Sequence, residues 1–87
     1  MSKLLTPTIH LNGTSRDDLL NQHIDILDAC RGLLTALRAG TPNARDYYPQ
    51  SETAATEARD AYNVRYALVS CIFDEFEHVA IEITREN

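Results

Sequence analysis

Apolar residues recur at steps of three and four over two long stretches of this chain, the spacing of amphipathic helices. The first stretch carries Leu20, Ile24, Leu27, Cys30, Leu34 and Leu37. Thr14 or Ser15 can cap its free amides, and Asp17 and Asp18 suit the positive end of the helix dipole. Gly40 can adopt the left-handed conformation that closes a helix, and Thr41-Pro42 prevents continuation. The pattern predicts a helix over 15–39. The second stretch carries Ala54, Ala58, Ala61, Tyr62, Leu68, Val69, Ile72, Phe76, Val79 and Ile83, which predicts a helix over 51–84.

A loop over 40–50 joins the two, so the expected fold is all-α: one antiparallel two-helix hairpin in a single domain. Residues 1–13 precede it as an extended segment. Residues 1–8 carry few order signals and are expected to fray. Thr8-Ile9-His10-Leu11 alternates before an Asn12-Gly13 turn signal, which predicts Ile9 and Leu11 turned inward.

The second helix outruns the first by some ten residues, about 15 Å at the α-helical rise. Its overhang still carries Phe76, Val79, Ala80 and Ile83. Either residues 4–12 fold over them or a second copy does, and a hairpin this small favours a homo-oligomeric helical bundle.

Composition narrows the class. Eighty-seven residues with a 44% hydrophobic fraction suit one globular domain. No run approaches the ~18 apolar residues of a membrane span. The opening Met-Ser-Lys-Leu-Leu-Thr-Pro has neither the apolar stretch nor the cleavage site of a signal peptide, so a cytoplasmic location is expected. Cys30 and Cys71 fit no metal or redox motif and read as reduced core thiols. The net charge of −5 argues against general nucleic-acid binding.

The charge is unevenly placed. Residues 31–66 hold Arg31, Arg38, Arg45, Arg59 and Arg65 against Asp46, Glu52, Glu57 and Asp60, a net of +1, and the rest of the chain carries −6. Arginine grips phosphate or carboxylate in bidentate fashion, which lysine cannot do. The loop adds two adjacent tyrosines, in Arg45-Asp46-Tyr47-Tyr48-Pro49, and a long helix–helix connection is commonly functional or specifically packed. Two readings stand: Tyr47 or Tyr48 plugs the hairpin's end while Asp46 caps the second helix, or the rings stack on a base beside Arg45.

At about 100° per residue, Arg65 falls within about 20° of Phe76 and Ala58, and Arg31 and Arg38 within about 40° of Leu27. A buried guanidinium needs a partner. Asp28, Glu57 and Asp60 are candidates, and an anionic ligand is the other. Tyr62 and Tyr66 lie at the same end. The candidate ligand-binding set is therefore Arg38, Arg45, Asp46, Tyr47, Tyr48, Tyr62 and Arg65.

No nucleophile–base–orienter trio and no glycine-rich phosphate loop appears, so an enzyme is not expected. Glu75-x-x-His78 resembles half of a di-iron motif, but it turns away from the apolar stripe and has no second copy, so no metal or cofactor is expected. His10 and His23 are isolated. The acidic tail, Asp74, Glu75, Glu77, Glu82 and Glu86, is either a solvated face or a mimic of a nucleic-acid backbone that occupies a basic groove.

The segments Thr8-Ile9-His10-Leu11-Asn12-Gly13-Thr14-Ser15 and Asn43-Ala44-Arg45-Asp46-Tyr47-Tyr48-Pro49-Gln50 resemble those of a widespread group of small bacteriophage proteins. That group has an "IHLNGTS"-like start, a helix, an "NxRDYYP"-like loop and a second helix. The resemblance implies a phage or prophage accessory protein made inside a bacterium. Small phage proteins of this type often counter host defence. The first expectation is accordingly a homo-oligomeric sponge for a nucleotide-like immune signal, a cyclic oligonucleotide or an ADP-ribose derivative. The alternative is an anti-CRISPR-like inhibitor that binds a host defence protein through its acidic helical surface.

Overall fold

The computed structural model describes residues 4–85. Two helices, α1 (Arg16–Ala39) and α2 (Ala54–Arg85), pack against each other as an antiparallel hairpin, and no strand occurs among the described residues. The body measures 61 × 26 × 17 Å. None of its helices is long and apolar enough to cross a membrane, among the described residues.

α1 begins where expected. The Ser15 hydroxyl accepts the Asp18 amide at 3.1 Å, with Asp17 and Asp18 in the first turn. It ends at Gly40, whose amide donates to the Ala36 and Leu37 carbonyls. Gly40 does not take the left-handed conformation; its φ is −95°. Glycine is needed there for room, because a Cβ would lie 2.9 Å from the Tyr62 hydroxyl and 3.3 Å from the Ala36 carbonyl.

α2 starts at Ala54, three residues later than the pattern predicts, with the Glu57 amide donating to the Thr53 carbonyl at 2.9 Å. Ser51 and Thr53 hydroxyls lie 3.5 Å apart, and Thr53 donates to Glu57 at 3.4 Å. Hydroxyl side chains that bond locally compete with helix at its edge.

The packed face of α2 is Tyr62, Tyr66, Val69, Phe73, Phe76, Ala80 and Ile83, all buried or half-buried. Their strict alternation of four and three is a heptad seam. α1 answers with Arg16, Leu20, His23, Leu27, Cys30, Leu34 and Leu37, on the same alternation. Four expected core positions are therefore displaced: Ile24 is 50%, Leu68 60% and Ile72 46% exposed, and Ala61 is exposed as well. His23 takes the place expected of Ile24, donating from Nδ1 to the Leu19 carbonyl at 2.8 Å and meeting Phe76 edge-on at 5.9 Å. Both apolar sets on α2 satisfy the three-and-four rule, and the aromatic-rich one faces α1. Cys30 is half-buried and free, but Cys71 is exposed and is no core thiol.

The open end of the hairpin is closed from within the chain. Ile83 is fully buried and Val79 is 9% exposed. Leu4 and Leu5 lie along α2 beside Glu75, Phe76 and Val79. Residues 4–9 are irregular, with Thr6, Pro7 and Ile9 half-buried. A turn follows, in which the Gly13 amide donates to the His10 carbonyl at 3.1 Å. Leu11, expected to point inward, is 98% exposed, because the turn lifts it off the helices. Residues 1–3 of the segment expected to fray lie outside the described residues, as does Glu86 of the acidic tail.

Candidate functional site

Arginine and tyrosine meet at the loop end of the hairpin, through the last turn of α1 and the third and fourth turns of α2. Arg38 donates from Nη2 to the Tyr66 hydroxyl at 2.5 Å, and its guanidinium carbon lies 5.7 Å from the centre of that ring. Tyr62 lies one turn nearer the loop, its hydroxyl over Gly40. Thr41 donates to the Arg38 carbonyl at 2.9 Å, which ties the chain leaving α1 to its last turn. Leu37, Arg38, Thr41, Tyr62, Asn63 and Tyr66 line an open cleft of about 240 Å³.

Arg38 in this cleft has no ion pair among the described residues. The partner of Arg38 is a phenol, and among the described residues the ion pairs are Arg31–Asp28 at 2.9 Å and Arg85–Glu82 at 3.2 Å. Asp28 is thus the expected partner for Arg31, whose guanidinium also lies 5.2 Å from the Phe73 ring centre. Neither Glu57 nor Asp60 pairs with an arginine among the described residues. Arg31 and Arg38 are exposed rather than buried, their guanidinium groups lying over aromatic rings on one flank of the helix pair.

The loop motif is an ordered turn. Asn43 accepts the Arg45 amide on its side chain at 3.0 Å and the Asp46 amide on its carbonyl at 3.0 Å. Ala44–Asp46 form one 3-10 turn, and the Tyr47 and Tyr48 amides both donate to the Ala44 carbonyl. This turn packs on α2. Asn43 fits because its side chain mimics the backbone of a turn. Tyr47 is half-buried, while Arg45 and Asp46 are exposed and Tyr48 is 73% exposed. Asp46 does not cap α2, which starts eight residues further on.

The expected ligand set therefore divides. Arg38 and Tyr62 line the cleft together; Arg45, Asp46, Tyr47 and Tyr48 stand on the neighbouring turn outside it. Arg65 leaves the set: it is exposed, and its helical angle places it on the flank opposite Arg38 and Tyr66. Tyr66 and Asn63 are the additions. Tyr66 was legible four residues after Tyr62, where a helix returns to the same face; Asn63 carried no signal. Comparison with known proteins finds no match to this chain among protein-family models, curated proteins or solved structures.

Proposed function

We propose that this chain is a non-enzymatic binding protein that takes a nucleotide-like anion at its loop end. The observation that carries the reading is the Arg38 guanidinium, without an ion pair among the described residues and bonded to the Tyr66 hydroxyl in an open cleft that Tyr62 also lines. A phosphate offers Arg38 a charge-assisted bond that a neutral phenol cannot match. The tyrosine rings offer faces for a base, and Arg45 and Tyr48 stand exposed on the adjoining turn to extend the contact. At about 240 Å³ the cleft is smaller than most small-molecule pockets. A whole nucleotide must therefore spread from the cleft onto that turn. The resemblance to small phage proteins supplies a context: sequestration of a nucleotide immune signal, with the chain acting as a counter-defence sponge.

Calorimetric titration with cyclic oligonucleotides and ADP-ribose derivatives tests this. Arg38→Ala should weaken binding by about tenfold or more, the loss of one charged hydrogen bond. Arg45→Ala with Tyr48→Ala should weaken it by about a hundredfold, combining a lost charged bond with a lost stacking ring. A wild type that binds none of these compounds sinks the reading. The second reading is a protein-binding inhibitor, favoured by the exposed Asp74, Glu75 and Glu77 of α2. It predicts instead that acid-to-amide changes in α2 abolish capture of a basic partner while Arg38→Ala has no effect.

A further inference from the structure

α2 carries a second heptad seam that α1 does not cover. Ala61, Arg65, Leu68, Ile72 and Glu75 follow one another at four, three, four and three residues, and every one of them is exposed. Leu68 is 60% and Ile72 46% exposed. The contacts of Arg31 with Phe73 and Arg38 with Tyr66 mark one flank of the hairpin. The 100° helical step puts this seam on the other flank, and Leu33 of α1, 48% exposed, on that same side.

One property of the whole chain and one of this surface point to its occupant. The chain exposes 6666 Å², whereas a compact folded chain of 9.8 kDa exposes about 5,200 Å². That excess of about 1,500 Å² is more than the roughly 800 Å² that each partner buries in a standard interface. The seam is also complementary to itself. Lay a second α2 antiparallel across it, with a two-fold axis at the height of residue 70. Leu68 then meets Ile72 of the other copy, twice, and Arg65 meets Glu75, twice. Among the described residues, neither Arg65 nor Glu75 has an ion-pair partner. An isologous contact needs one patch that pairs with itself after a two-fold rotation, and this order of residues does so.

We propose that a second copy of this chain docks antiparallel along Arg65, Leu68, Ile72 and Glu75, with an apolar centre closed at each end by an Arg65–Glu75 ion pair. The contact lies on the flank away from the Arg38 cleft and does not depend on the ligand reading. Leu4 and Leu5, beside Glu75 and Val79, extend the apolar surface at its ends.

Charge reversal tests it, with mass in solution read by sedimentation. The wild type should be dimeric or a multiple of two. Arg65→Glu places four carboxylates along the contact, and Glu75→Arg places four guanidiniums there. Each should raise the dissociation constant by about a hundredfold, because like charges face each other at both ends. Mixing the two variants should restore a one-to-one complex, and the doubly reversed R65E/E75R chain should pair with itself. Both residues are exposed, so circular dichroism should report unchanged helix. If either single variant unfolds, self-association of the double variant decides the matter. A monomeric wild type overturns the proposal. So does a wild-type assembly that both single reversals leave intact, or a double variant that stays monomeric.

Discussion

The two seams of α2 follow the same spacing and differ in what they carry. The inner seam has three of its seven positions filled by rings that bridge to α1: Tyr66 to Arg38, Phe73 to Arg31, and Phe76 to His23. The outer seam has a short aliphatic centre between an arginine and a glutamate. A long aromatic ring on one helix can reach past the contact line and meet the guanidinium of an arginine on the other, so it suits a hairpin of only two helices. Leucine and isoleucine cover less and leave charges at the margin. Spacing identifies a seam, and the size of its side chains decides whether one thin partner helix can bury it.

Truncation should separate the seams most sharply. Ile83→Ala removes a fully buried side chain at the open end and should cost about 2–5 kcal/mol of stability, measured by denaturant unfolding. Ile72→Ala on the outer seam should cost the folded chain under about 1 kcal/mol at a concentration where it is monomeric, since the side chain keeps much of its exposure. Equal losses from the two would erase the distinction.

A smaller effect probes the loop end of the inner seam. Gly40→Ala places a methyl group 2.9 Å from the Tyr62 hydroxyl, and the strain should lower stability by about 1–2 kcal/mol. Tyr62→Phe removes that oxygen, so the double variant should recover most of the loss. Without recovery, the backbone contact to the Ala36 carbonyl, rather than Tyr62, is what keeps glycine there.

The smallest effect belongs to the flank where arginines cover the rings. Asp28→Asn removes an exposed pair with Arg31, both side chains more than half accessible, and should change stability by about 0.5 kcal/mol or less. That small loss should vanish at high salt. A loss of several kcal/mol would mean that Asp28 positions Arg31 over Phe73, and that the ring contact depends on the pair.

The candidate site was half legible before the fold was known. Arg38 and Tyr62 could be placed at the loop end because a helix of known start and stop fixes which residues sit near its turn. Arg65 was misplaced because the expected stripe on α2 averaged two seams into one, and Arg65 belongs to the outer one, away from α1. The Asn43-Ala44-Arg45-Asp46 run was recognisable as unusual. Its role as a hydrogen-bonded 3-10 turn depends on bonds between its own backbone and the Asn43 side chain, which no periodicity reports.

Sequence by itself determined that the described chain forms two helices, that Ser15 opens the first and that Gly40 closes it. Those outcomes rest on local physics: side-chain caps, a glycine, a following proline and the period of the apolar positions. Tertiary structure alone decided which of two equivalent apolar seams is buried and which side of α2 faces α1. It also decided that Leu4 and Leu5 lie beside Val79 while Leu11 faces outward. Those outcomes depend on contacts between segments distant in sequence, where the volume of facing side chains selects among arrangements that the local pattern permits equally.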